Sequence, residues 1–134
     1  MGEDNQKALI QYRIERAKET LEDARSLFRQ NGSPASIVNR AYYAMFYAAL
    51  AMISTVGAQT KTHNGVMALF DQHFIKTKLV PKEMGQFLRR VFEMRQTGDY
   101  EVEAELTKEN VLEALDYAEK FIPFIEEELT QTKK

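Results

Sequence analysis

Two short stretches, Asn39-Arg40-Ala41-Tyr42-Tyr43-Ala44-Met45-Phe46-Tyr47 and Arg95-Gln96-Thr97-Gly98-Asp99-Tyr100, set an arginine beside tyrosines on or next to an otherwise apolar helical pattern. A guanidinium is costly to bury without an anionic partner or a bound phosphate. Anion recognition is therefore the chemistry to look for at these positions. Arg40 lies one helical turn before Tyr43 and two before Tyr47, so the three share a stripe, and an anionic partner is expected for Arg40. Arg95 follows Leu88 by seven residues and Val91 by four, which puts it on the apolar edge of its helix, pointing at the core rim or a partner surface. His63 is in register with Met67, Phe70 and Phe74 and faces inward. Asp99 and Tyr100 sit just past Gly98, where a helix stop is expected.

Structural roles compete for the same residues. Arg95 and Asp99 could form an ion pair clamping a helix end, and Tyr42, Tyr43 and Tyr47 could be core aromatics with bonded hydroxyls. His63 could be a capping or core histidine, and His73 could simply pack beside Phe70 and Phe74. The chain carries no glycine-rich phosphate loop and no serine triad, and Gly85 stands alone. Two distant histidines are too few for a metal site, so neither a metal nor a cofactor is expected.

Apolar residues recur at helical spacing almost throughout, and no stretch alternates with period two. An all-α protein is expected. The first helix spans about 4–30, with Ile10, Ile14, Ala17, Leu21, Ala24 and Phe28 on one stripe. Asn31-Gly32-Ser33-Pro34 closes it, with the glycine after the helix end, Ser33 as cap and Pro34 in the first turn of the next helix. That second helix, about 34–56, is apolar nearly all round and rich in alanine, as befits the centre of a bundle; Gly57 ends it. Thr62 caps a third helix carrying Val66, Leu69, Phe70, His73 and Phe74 inward. Pro81 opens a fourth, with Met84, Phe87, Leu88, Val91, Phe92 and Met94 facing the core. The last starts near Thr107, carries Val111, Leu115, Ala118, Ile122, Ile125 and Leu129, and should kink at Pro123.

The 134 residues suffice for one domain with its own core, 1–134, with 130–134 as a frayed tail. With no cysteine there is no disulfide framework, thiolate zinc site or cysteine nucleophile, and a reducing cytoplasm fits best. The uncharged run 41–59 holds three tyrosines, serine, threonine and glycine, so it reads as a core helix rather than a membrane span. The first seven residues are polar, with no apolar signal region after them. A net charge of −2 argues against coating nucleic acid by bulk electrostatics, and no DNA partner is expected. Charge is nonetheless uneven: 61–95 holds seven Lys or Arg against three Asp or Glu, while 99–128 holds two against eleven. One region could still meet a polyanion.

Asn39-Arg40-Ala41-Tyr42-Tyr43-Ala44, then Lys61-Thr62-His63-Asn64-Gly65, then Arg95 with Gly98-Asp99-Tyr100 together resemble the HEPN superfamily, specifically its small stand-alone prokaryotic members. The resemblance covers nearly the whole chain and implies an up-and-down four-helix bundle with an additional short helix. It also implies a homodimer, often paired with a minimal nucleotidyltransferase as toxin and antitoxin. Many members are metal-independent endoribonucleases that pair an arginine with a histidine four to six residues later. Here the positions after Arg95 hold no histidine. Arg95 carries over as the phosphate-facing arginine, and the proton-transfer role would fall to Asp99, Tyr100 or His63.

The first reading is therefore a partner of a minimal nucleotidyltransferase that binds nucleotide or RNA phosphate at a dimer-interface cleft through Arg40, Tyr43, His63, Arg95 and Asp99. The second is a divergent metal-independent endoribonuclease toxin with Arg95 as electrophile and His63 or Tyr100 in proton transfer. The third is a helical interaction module whose polar clusters only fix packing. By the same resemblance, Tyr100 is the candidate for modification by adenylate from the partner enzyme.

Overall fold

The computed structural model describes residues 2–100 and 106–132, with the side chains at 3, 98–100 and 132 outside the described set. Five α-helices follow one another: α1 (Gly2–Arg29), α2 (Pro34–Ser54), α3 (His63–Phe70), α4 (Lys82–Tyr100) and α5 (Lys108–Thr132). Four are long and α3 is short, and among the described residues there is no strand. The all-α bundle expected from the periodicity is the observed architecture.

Local chemistry sets most of the boundaries. Asn31 turns the chain out of α1 in the left-handed region, at φ 59°, while the amides of Asn31 and Gly32 donate to the carbonyls of Phe28 and Leu27. These two bonds satisfy carbonyls that the helix end leaves without partners. The left-handed position thus belongs to the asparagine rather than to Gly32, because an asparagine side chain also tolerates this conformation. Ser33 caps α2 by accepting from the Ser36 amide at 3.2 Å, with Pro34 behind it. Thr62 caps α3 by accepting from the Gly65 amide at 2.9 Å, and Thr107 and Asn110 cap each other at the start of α5.

Two elements depart from expectation. The fourth helix does not stop at Gly98 but runs through it to Tyr100. A glycine inside a helix costs only about 1 kcal/mol relative to alanine, which packing of the preceding turns can offset. After α3 the chain winds into a π-helical turn, Asp71–Ile75, before Lys78 at φ 65° leads it toward Pro81. In α5 the helix continues past Pro123; that residue and Glu119, whose carbonyl loses its bond there, are both exposed, so water can take the bond's place.

α2 is the hub, packed against α1, α3, α4 and α5. Its alanines at 41, 44, 48, 49 and 51 are fully buried, which lets the neighbouring helix backbones come close. Stripes from α1 (Ile14, Ala17, Leu21), α4 (Leu88, Val91, Met94) and α5 (Ala118, Phe121, Ile122, Ile125) close the core around it. Among the described residues no helix is long and apolar enough to cross a membrane.

Candidate functional site

The packing that buries α2 also gathers side chains from α2, α3 and α4 at one edge of the core. Tyr42 is fully buried, as its place between Val38, Met45 and Ala49 on the innermost stripe requires. A buried phenol needs a hydrogen-bond partner. The Tyr42 hydroxyl and His63 Nδ1 share a hydrogen bond of 2.7 Å. His63 is the first residue of α3, held there by the Thr62 cap, and its half-buried ring lies 4.7 Å from Phe46 and stacks at 6.2 Å on Phe92.

Arg95 reaches the same place from α4. Its Cζ lies 5.7 Å from the Tyr42 ring centroid and 5.4 Å from that of Tyr43, and its Nε is buried. The His63 ring lies 5.6 Å from Tyr42 and 5.8 Å from Tyr43, so one guanidinium and one imidazole are seated on the same pair of tyrosines. Arg40 packs on Tyr43 as well, with Cζ 5.3 Å from its centroid.

The electrostatics follow from this crowding. Burial, and secondarily the Arg95 charge, hold the His63 imidazole below its ordinary pKa, so the ring is neutral near pH 7. Burial pushes the Tyr42 hydroxyl far above the usual phenol range, opposed in part by Arg95. A neutral imidazole can take up a proton while a guanidinium beside it stabilises developing negative charge. That is the chemistry the arrangement can perform.

Of the residues singled out in the sequence, Arg95, His63, Tyr43 and Arg40 come together around one ring system. The expectation of an anionic partner for Arg40 is not met among the described residues: its Nε and Nη2 donate to the neutral Asn39 Oδ1 at 3.2 and 2.8 Å. The Tyr43 ring and this amide supply the contacts that a carboxylate was expected to give. Asp99 and Tyr100 belong to the last turn of α4, but their side chains, and with them the expected Arg95–Asp99 pair, lie outside the described residues. His73 packs beside Phe74, 6.3 Å between rings, away from this cluster. Tyr42 is the residue whose importance the sequence understated. Its signal is positional, since a tyrosine on the innermost stripe of an all-round apolar helix must find a buried hydrogen-bond partner.

Two surface hollows flank the cluster's helices, the second reaching Arg40. One of about 260 Å³ lies between α3 and α4 over Phe70 and Leu88, and an open one of about 450 Å³ is lined by Leu27, Ser36, Asn39 and Arg40. Among the described residues no group of acidic or histidine side chains is placed to hold a metal ion.

The HEPN domain family matches residues 10–129. The chain belongs to the HEPN domain family. A UPF0332 protein of Thermotoga maritima is 41% identical to it over 126 residues, covering 94% of this chain and 95% of the relative. From Methanocaldococcus jannaschii, the protein named "Putative toxin MJ0605" is 31% identical over 122 residues, 91% of this chain and 90% of its own length. A second protein of that organism bearing the same kind of toxin name is 34% identical over 96 residues, 72% of this chain and 65% of its own. Within this HEPN chain, the imidazole beside Arg95 comes from the start of α3 rather than from the residues that follow the arginine in α4.

Proposed function

We propose that this HEPN protein is the component of a toxin–antitoxin type pair that binds the phosphate of RNA or a nucleotide at the Arg95–His63 cluster. The observation that carries this reading is the seating of both side chains on Tyr42 and Tyr43. The rings fix the guanidinium and the imidazole before any ligand arrives, which lowers the ordering cost of binding. Arg40, on the far contact of Tyr43, adds a second cation, and Asp99 one turn beyond Arg95 is placed by sequence to orient it. The toxin names of two relatives support the functional class. A homodimer would wall the cleft on its open side, and a minimal nucleotidyltransferase is the proposed partner. Calorimetric titration of adenosine monophosphate into wild type and Arg95→Ala tests the reading. Binding that the variant loses is expected, and equal binding by both folded proteins would reject it.

A second reading draws on the neutral imidazole. As a divergent endoribonuclease, the protein would use His63 Nε2, in the tautomer whose Nδ1–H donates to the Tyr42 oxygen, to accept the proton of a ribose 2′-hydroxyl. The 2′-oxygen would then bond to phosphorus, and the 5′-oxygen would depart and take a proton from solvent. Arg95 would stabilise the phosphorane charge, and the products would be a 2′,3′-cyclic phosphate and a 5′-hydroxyl. Cleavage of total RNA in EDTA with cyclic ends, lost in Arg95→Ala and His63→Gln, would establish it. Intact RNA after exposure to excess folded protein would leave binding as the function. Tyr100 is the proposed acceptor of adenylate from the partner enzyme, and intact-mass measurement after incubation with that enzyme and ATP would show the added group or its absence.

A further inference from the structure

A row of cations and rings continues past this cluster along the outer side of α2 and onto α1. Arg40 packs on Tyr43; the Tyr43 and Tyr47 rings lie 6.2 Å apart; and Arg16 of α1 stands 5.2 Å over Tyr47. We infer that this ladder of Arg40, Tyr43, Tyr47 and Arg16 is a phosphodiester track that carries single-stranded RNA away from the Arg95–His63 cluster. The inference rests on the phosphate-binding reading of that cluster and adds the class of ligand, a strand rather than a mononucleotide.

Charge complementarity selects the occupant. A ring face holds a guanidinium by its plane and leaves N–H groups at its edge for an anion; at Arg40 the Nε–Nη2 edge serves the neutral Asn39 Oδ1, so a phosphate would meet the remaining Nη hydrogens or displace that amide oxygen. Among the described residues, neither terminal arginine of the ladder is neutralised by a carboxylate closer than 3.8 Å. Arg40 donates to a neutral amide oxygen, and Glu19 approaches Arg16 only to 3.8 Å, with both side chains exposed. Such an exposed contact holds a guanidinium weakly and yields to a better anion. Tyr43 and Tyr47 are only half-buried, so ring edges remain for bases to lie against. Arg16 stands past Tyr47, one ring beyond the Tyr43 that Arg95 and His63 share, so a ligand that meets both Arg95 and Arg16 runs along the row of rings, as a strand does. A single row of cations also suits one backbone rather than two. With a chain net charge of −2, RNA affinity must come from such local rows and not from the whole surface.

The test compares adenosine monophosphate with a 2′-O-methyl octaribonucleotide, which the ribonuclease chemistry cannot cut, over a series of salt concentrations. Each phosphate contact to a single strand contributes about 0.7 to the slope of log affinity against log salt. Arg16→Gln and Arg40→Gln should each lower the octanucleotide slope by about 0.7 and weaken it several-fold, leaving Arg16→Gln unchanged toward the monophosphate. Arg95→Ala should weaken both ligands. If the arginine-to-glutamine variants keep wild-type slope and octanucleotide affinity while Arg95→Ala loses the monophosphate, the track is overturned and the phosphate site stands. If folded wild type binds neither ligand, both fall. Tyr47→Ala, followed by sedimentation, guards against another role for this face: a changed oligomeric state with an unchanged octanucleotide slope would make it a contact between copies of the chain and overturn the track.

Discussion

The Tyr42 hydroxyl and the Nδ1 of His63 lie 2.7 Å apart, joining the innermost stripe of α2 to the first residue of α3. Two consequences follow from that bond. It satisfies a phenol that the fold has removed from water, and it occupies one imidazole nitrogen, so Nε2 is the one left to meet a ligand. A proton-transfer group of this kind needs a fixed tautomer as much as a suitable pKa.

Tyr42→Phe keeps the ring packing and removes only the hydroxyl. The His63 nitrogen then lacks its buried partner, and the chain should lose about 1–3 kcal/mol of stability. ¹⁵N spectra of His63 should show one dominant tautomer in wild type and a mixture in the variant. An unchanged tautomer ratio would mean that some other contact fixes the ring.

Acid should destabilise the fold through His63. Burial and Arg95 make this imidazole bind its proton less readily in the folded chain than in the unfolded one, so protons favour unfolding. The contribution is complete above the ordinary imidazole pKa of about 6.5 and is lost as pH falls from there through the lower folded value. Tm measured from pH 7.5 to 5 should therefore decline in wild type and decline less in His63→Gln. Parallel curves for the two proteins would show that other groups carry the pH dependence.

Much of this was legible in the sequence, and the reasons are physical. Periodicity of apolar residues located the four long helices and the short one, because burial of a stripe is what makes them helices. Ser33, Thr62 and Thr107 marked helix starts because each side chain bonds an amide that the helix leaves open. Gly98 misled because a glycine limits a helix only when nothing outweighs its small intrinsic cost, and α4 packs firmly through Met94. The π-helical turn after Phe70 has no composition signal, and it carries Phe74 into the core. At the candidate site, the inward facing of Arg95 and His63 was legible from register, but their shared seat on Tyr42 and Tyr43 depends on how α3 and α4 approach α2. Tertiary packing sets that approach, and no local pattern encodes it.

The alanine surface of α2 should resist enlargement. Ala48 is fully buried, so Ala48→Leu forces helices apart and should cost about 1–3 kcal/mol or more by thermal denaturation. A stability equal to wild type would mean that the bundle core holds unfilled space at this level.

Arg95→Ala separates ligand binding from architecture. Losing two ring contacts should cost the fold about 1–2 kcal/mol. Losing a charge-assisted phosphate contact of about 1.5–3 kcal/mol should weaken nucleotide binding roughly ten- to a hundredfold. Arg95→Lys should restore charge but only part of the affinity, since an ammonium cannot reproduce the planar fork. A large stability loss with unchanged ligand affinity would instead favour a purely structural role for the cluster.

Whether the Arg95–His63 cluster receives phosphate is read from ¹H–¹⁵N spectra recorded while adenosine monophosphate is added. Saturable shifts of the Arg95 side-chain Nε–H and the His63 ring signals are expected, with backbone shifts confined to the neighbouring turns of α2, α3 and α4, and their disappearance in Arg95→Ala. Saturable shifts centred elsewhere on the bundle, with Arg95 and His63 silent, would contradict phosphate binding at the cluster.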